Sequence, residues 1–210
     1  MFTRKLKPDE QNLLVQIENL VQATTEGPFK DPPQVLEVLK FAVAIGQKIP
    51  DPVNPMLLAS AALLHEVGRG VLPGGTAGGL LGAAVVESFL RSTNLSDHER
   101  VQTLRSVTAV SAQEVCQLES PEERVLSDAI QIESCSMLGV LRDVRAARTS
   151  LADYIKSERA RRKTSFDKLY FDASREVGQP IYRQGEIFLK TVEQACYGAT
   201  AKLKDVGLPV

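Results

Sequence analysis

Histidine is nearly absent: His65 and His98 are the two in 210 residues, so a site built from several imidazoles is excluded by counting. Cysteine is scarce too. Cys116, Cys135 and Cys196 show no CxxC spacing, and an odd number argues against a complete disulfide framework, which makes a reducing compartment the expectation. Excess charge is missing as well, because the formal net charge is −1 and the whole surface offers no strong field to nucleic acid or an anionic membrane. The opening MFTRKLKPDEQ lacks the apolar segment of a signal peptide, and no stretch approaches the roughly 18 uninterrupted apolar residues of a membrane span. A cytoplasmic protein with no membrane partner is therefore expected.

What is present is ordinary for a globular domain, with 43% hydrophobic and 24% charged residues, so the fold must come from patterning. Helical spacing recurs, and no alternation of β-branched residues between turn clusters is found, which predicts an all-α chain. Pro8 opens a first helix carrying Leu13, Leu14, Ile17, Leu20 and Val21, with Gly27 placed to end it. Residues 1–28 are thus expected to pack as an N-terminal helix on a helical domain spanning 29–205. Asp31 with Pro32 starts a second helix bearing Val35, Val38, Leu39, Ala42 and Ile45, and Asn54 with Pro55 starts a third that runs to His65.

Glycines at 68, 70, 74, 75, 78 and 79 then predict a loop over the end of that helix, with a fourth helix from about Leu80 through Val85, Val86, Phe89 and Leu90. Backbone N–H groups of such a loop can bind phosphate, yet its spacing matches no established phosphate-loop pattern, so a connector is the plainer expectation. Ser96 with Glu99 forms a capping box for a fifth helix, and Ser120, Pro121 and Glu123 start a sixth. SERARRKTS, from Ser157, reads as a charged helix end or exposed connection, and the basic run Lys156–Lys163 as a solvated face with too few aromatics for nucleic acid. Two last helices are expected, one marked by Phe166, Leu169 and Tyr170, the other by Ile181, Phe188, Val192 and Ala195.

LLASAALLHEVGRG at 57–70 resembles the second motif of the HD-domain metal-dependent phosphohydrolases, an apolar helix ending in Ala-Leu-Leu-His-Asp-Ile-Gly. QVLEVLKFAVAIG at 34–46 resembles the upstream helix that opens with the family's first histidine ligand. VLSDAIQIES at 125–134 resembles the later helix with Asp-Ala-Asp-Arg-Leu-Glu, and the segment from Ser165 resembles the carboxy-terminal helices of small bacterial members. The resemblance implies an HD-like helical bundle. It also implies a site where a histidine, a His-Asp pair and a distant aspartate hold a divalent cation, Mn or Mg, that activates water against a phosphoryl group.

Against that pattern, the alignment puts Gln34 at the first histidine, and an amide ligates transition metals less readily than imidazole. His65 is kept. Glu66 replaces the aspartate, displacing the carboxylate by on the order of 1 Å at a site of fixed bond lengths. Ile130 stands at the distant ligand and can coordinate nothing. Asp128, two residues earlier, is rotated by about 200° on a helix, whereas Glu133 shares a face with Ile130 and is the better compensating carboxylate.

The expected reading is a degenerate member of the family, without catalytic residues or a required metal, that binds a small anionic metabolite or a protein partner. Its expected pocket is Gln34, His65, Glu66, Arg69, Ile130, Glu133 and Lys168, with Arg69 and Lys168 as anion contacts. The alternative is a divergent phosphohydrolase, acting on a nucleotide or other phosphorylated small molecule, whose cation sits on His65, Glu66 and Asp128. A third reading is a scaffold that homodimerises through its terminal helices.

Overall fold

The computed structural model describes residues 1–24, 32–67, 76–111, 117–146 and 150–198. Among these, nine helices follow in order: α1 Pro8–Thr24, α2 Pro32–Lys48, α3 Pro55–Leu64, α4 Thr76–Arg91, α5 Asp97–Ser111, α6 Pro121–Ser134, α7 Met137–Ala146, α8 Leu151–Asp167 and α9 Asp172–Gly198. The described residues hold no strand beyond an isolated bridge between Phe2 and Val53, so the chain is all-α. It divides into two compact units, Met1–Ile130 with Tyr170–Ser174, and Gln131–Leu169 with Arg175–Val210. The boundary expected at residue 28 falls at 25–31, outside the described residues.

In the first unit, helix starts follow local chemistry. The Asn54 side chain accepts from the N–H groups of Met56 and Leu57, at 3.0 and 3.4 Å, and Pro55 supplies a first residue whose missing donor costs nothing. Ser96 and Glu99 close their capping box, Glu99 N–H donating to Ser96 Oγ at 3.3 Å and Ser96 N–H to Glu99 Oε2 at 3.0 Å. Ser120 and Glu123 do the same at α6, and Glu123 also accepts from Glu119 N–H at 2.7 Å. Each cap satisfies donors that a helix start otherwise leaves to water.

Helix α3 is apolar on nearly every side and sits at the centre of this unit, packed against α1, α2 and α5. Its alanines let those neighbours approach closely. Asn54 N–H donates to the buried Glu122 Oε1 at 2.7 Å, which ties the start of α3 to α6. Helix α4 begins at Thr76, so Gly78 and Gly79 are helical rather than part of the loop expected to run to Gly79. The physical reason is scale: a helical glycine costs about 1 kcal/mol relative to alanine, and burial of Val86 and Leu90 on the same helix outweighs it.

The second unit packs α7, α8 and α9 around Val140, Tyr154, Ile155 and Leu189. SERARRKTS is not a connection: it forms most of the carboxy-terminal half of α8, and it is not wholly exposed, because Arg162 is buried at 2% exposure. The basic run is therefore not wholly a solvated face. Two acids make this burial tolerable: Arg162 Nη2 donates to Asp143 Oδ2 at 3.0 Å and its Nε lies 3.2 Å from Glu158 Oε2. Burial raises the Asp143 carboxyl above its ordinary range, against the pull of Arg162 and Arg161. Phe166, in the last turn of α8, stacks on Tyr182, ring centroids 4.6 Å apart, whereas Leu169 and Tyr170, expected in a helix, fall in the turn before α9. Cys135 is buried among these helices, and burial pushes its thiol up.

Candidate functional site

His65 caps the carboxy-terminal end of α3 at φ −62° and ψ −23°, where Val67 N–H returns to Leu64 O at 3.0 Å. It is 1% exposed. Nδ1 lies 2.7 Å from Ala62 O, and because a carbonyl can only accept, Nδ1 carries a proton. Metal-ligating histidines make the same kind of bond from their second ring nitrogen to a backbone carbonyl. Nε2 faces Glu66 Oε1 at 3.4 Å, and the Glu66 side chain is 18% exposed, so the polar pair lies at the edge of an apolar core.

Asp128 is 1% exposed on α6, and its carboxylate faces the backbone of the turn before α9. Tyr170 N–H reaches both oxygens at 3.0 Å, and Phe171 N–H reaches Oδ2 at 3.2 Å. Ile130, two residues on, is half-buried, as helical rotation requires. Gln34 is half-buried in the first turn of α2. The structure thus brings His65 to Glu66 and gives Asp128 to a turn.

The remaining expected residues divide between the second unit and the region outside the description. Glu133, 2% exposed, receives both arms of Arg142, Nη1 to Oε1 at 2.9 Å and Nη2 to Oε2 at 2.7 Å. Lys168 is exposed and caps α8 through its backbone N–H. Arg69 and the glycines from 68 to 75 lie outside the described residues. Sequence reasoning missed Arg142 and Tyr170 as the partners of the two carboxylates. No local pattern announces them, since Tyr170 lies 42 residues from Asp128.

A divalent cation fits this donor set poorly. Among the described residues no three of His, Cys, Asp and Glu converge as a metal-holding group. One candidate carboxylate is spent on backbone N–H groups, another is engaged by a guanidinium, and a hydrocarbon occupies the third position. What remains is one imidazole with one neighbouring carboxylate, short of the three or more protein ligands of catalytic zinc sites.

No protein-family profile matches the chain, and no curated protein matches it. Solved structures do. A crystal structure of an HD-superfamily hydrolase from Bacillus thuringiensis covers 92% of this chain and 100% of its own, at 17% identity and a TM-score of 0.62. The chain has the HD-superfamily fold. YpgQ of Bacillus subtilis is similar at 18% identity and a TM-score of 0.69, covering 89% of this chain and 95% of its own. YpgQ has also been crystallised with ADP, and that structure matches at 16% identity and a TM-score of 0.64, covering 87% and 97%. In this HD-fold chain, no helix among the described residues is long and apolar enough to cross a membrane.

Proposed function

We propose that this HD-fold protein is a pseudoenzyme of the cytoplasm: it binds a small phosphorylated anion at the His65–Glu66 end of α3 and does not hydrolyse it. The observation that carries this reading is the engagement of Asp128 by Tyr170 and Phe171, with Ile130 at the position the family resemblance gives to a ligand. Hydrolysis in that family runs through a cation, and these groups leave it too few anionic ligands. The ADP complex of YpgQ supports the anion class. A protein partner in place of the small molecule, or a second copy of the chain, would use the same fold without the pocket.

One observation favours the enzymatic alternative, a divergent phosphohydrolase with Mn or Mg on His65, Glu66 and Asp128. His65 donates from Nδ1 to the Ala62 carbonyl, as ligating histidines do. Elemental analysis of purified protein, with an ADP turnover assay in added Mn²⁺, decides between the two. The expected result is substoichiometric metal, no turnover, and an ADP-induced rise in melting temperature that His65→Ala reduces. Stoichiometric metal with turnover lost in His65→Ala would overturn the proposal. In addition, the triple variant Gln34→His, Glu66→Asp, Ile130→Asp should gain Mn²⁺ affinity in calorimetry, and no gain would reject the alignment on which the ligand positions rest.

A further inference from the structure

Among the Phe and Tyr residues whose side chains are described, Tyr170 is the exposed one, at 52%. Loose surface rings are common, but this one is held. Its N–H and that of Phe171 are both fixed by the buried Asp128 carboxylate, so the backbone beneath the ring has little freedom. The Arg124 guanidinium lies over the ring, 6.0 Å from its centroid. Arg124 Nε donates to Leu118 O at 3.4 Å, a long bond that leaves its stem free to shift. Neither its two terminal nitrogens nor the Tyr170 hydroxyl has a hydrogen-bond partner among the described residues.

The separation is informative. A guanidinium in direct contact with a ring sits closer, and 6.0 Å is at the outer reach of a cation–π attraction. Stacked bases lie about 3.4 Å apart, so a planar ring between Tyr170 and Arg124 needs about 7 Å. An outward movement of about 1 Å by the flexible arginine stem provides it. The geometry points to a nucleobase platform: Tyr170 and Arg124 receive the base of a nucleoside phosphate between them or on the open face of the ring. This deepens the proposed function and rests on its claim that the ligand is a phosphorylated anion. An aromatic ring and a guanidinium plane are the chemistry that recognises the base of this class.

The chain contains no tryptophan, so Tyr170→Trp installs a single reporter. Emission of this Trp should change saturably with ADP and with adenosine, and not with inorganic phosphate or ribose 5-phosphate. Calorimetry should find ADP affinity about tenfold weaker in Tyr170→Ala, the lower part of the range for losing one stacked base, and unchanged in Tyr170→Phe. Arg124→Leu should weaken it about fivefold, within the range of a partly desolvated cation–π contact. All three tyrosine variants keep the N–H groups that Asp128 holds, so folding is not the variable. If wild type binds ADP while Tyr170→Ala binds it within twofold of wild type, the platform is rejected and the proposed function stands. A reporter response to phosphate as strong as to ADP also rejects it. If wild type binds neither ADP nor phosphate, the anion reading itself fails, and the platform with it.

Discussion

Asp128→Asn separates a fold-holding carboxylate from a latent metal ligand, because the two roles predict opposite signs. In the structure the side chain is 1% exposed and accepts from two backbone donors, Tyr170 N–H shared between its oxygens at 3.0 Å and Phe171 N–H at 3.2 Å. Hydrogen bonds to an ionised acceptor contribute about 1.5–3 kcal/mol each. Asparagine keeps one oxygen and turns an NH₂ group toward a donor, so one bond is lost and the other loses its charge. The expected loss is about 2–4 kcal/mol, with Asp128→Ala at the upper end or beyond since it orphans both N–H groups. For a chain of this size, each kcal/mol moves the melting temperature by about 2–4 °C, so Asp128→Asn should lower it by about 5–15 °C. Circular dichroism melts without added metal measure it. A carboxylate waiting for a cation among other anions is destabilising until the ion arrives. Asp128→Asn would then leave the melting temperature unchanged or raise it, and that result refutes the reasoning.

Two glycines of α9 offer a comparison within one helix. A Cβ at Gly178 meets Ile132 Cγ1 at 2.7 Å, a side chain that can rotate, whereas a Cβ at Gly185 meets the backbone carbonyl of Cys135 at 2.0 Å. Gly178→Ala should cost about 1–3 kcal/mol and Gly185→Ala more, by urea denaturation, and the reverse order would contradict the helix placement. Acid unfolding tests Glu10, whose carboxyl is held below the ordinary range chiefly by hydrogen bonds from Arg4, with Lys7 N–H adding a contact at 2.7 Å, against the opposing effect of burial. A lowered folded pKa means stability that is present above the ordinary carboxylate range and lost as pH falls through the folded value. Glu10→Gln should therefore flatten the acid limb of the stability curve, and an unchanged limb would remove Glu10 from the account.

Legibility in this sequence follows the distance over which a residue finds its partner. Asn54, Ser96 and Ser120 were readable as caps because each bonds donors within three residues, and the structure places helix starts at all three. The apolar run ending at His65 was readable because a helix buried on every side needs no polar face. SERARRKTS misled for the opposite reason: the acid that helps make Arg162 buriable is Asp143, 19 residues away on another helix. The same limit governs the site. Helical rotation was enough to say that Asp128 and Ile130 diverge, but not that Asp128 holds Tyr170, 42 residues on, or that Glu133 is matched to Arg142 across nine. The physical consequence reaches past prediction. A buried carboxylate costs several kcal/mol unless donors surround it. In this chain the two buried acids nearest the distant ligand position, Asp128 and Glu133, each have such donors, backbone N–H groups for one and a guanidinium for the other. A cation beside Ile130 would therefore need ligands other than these two.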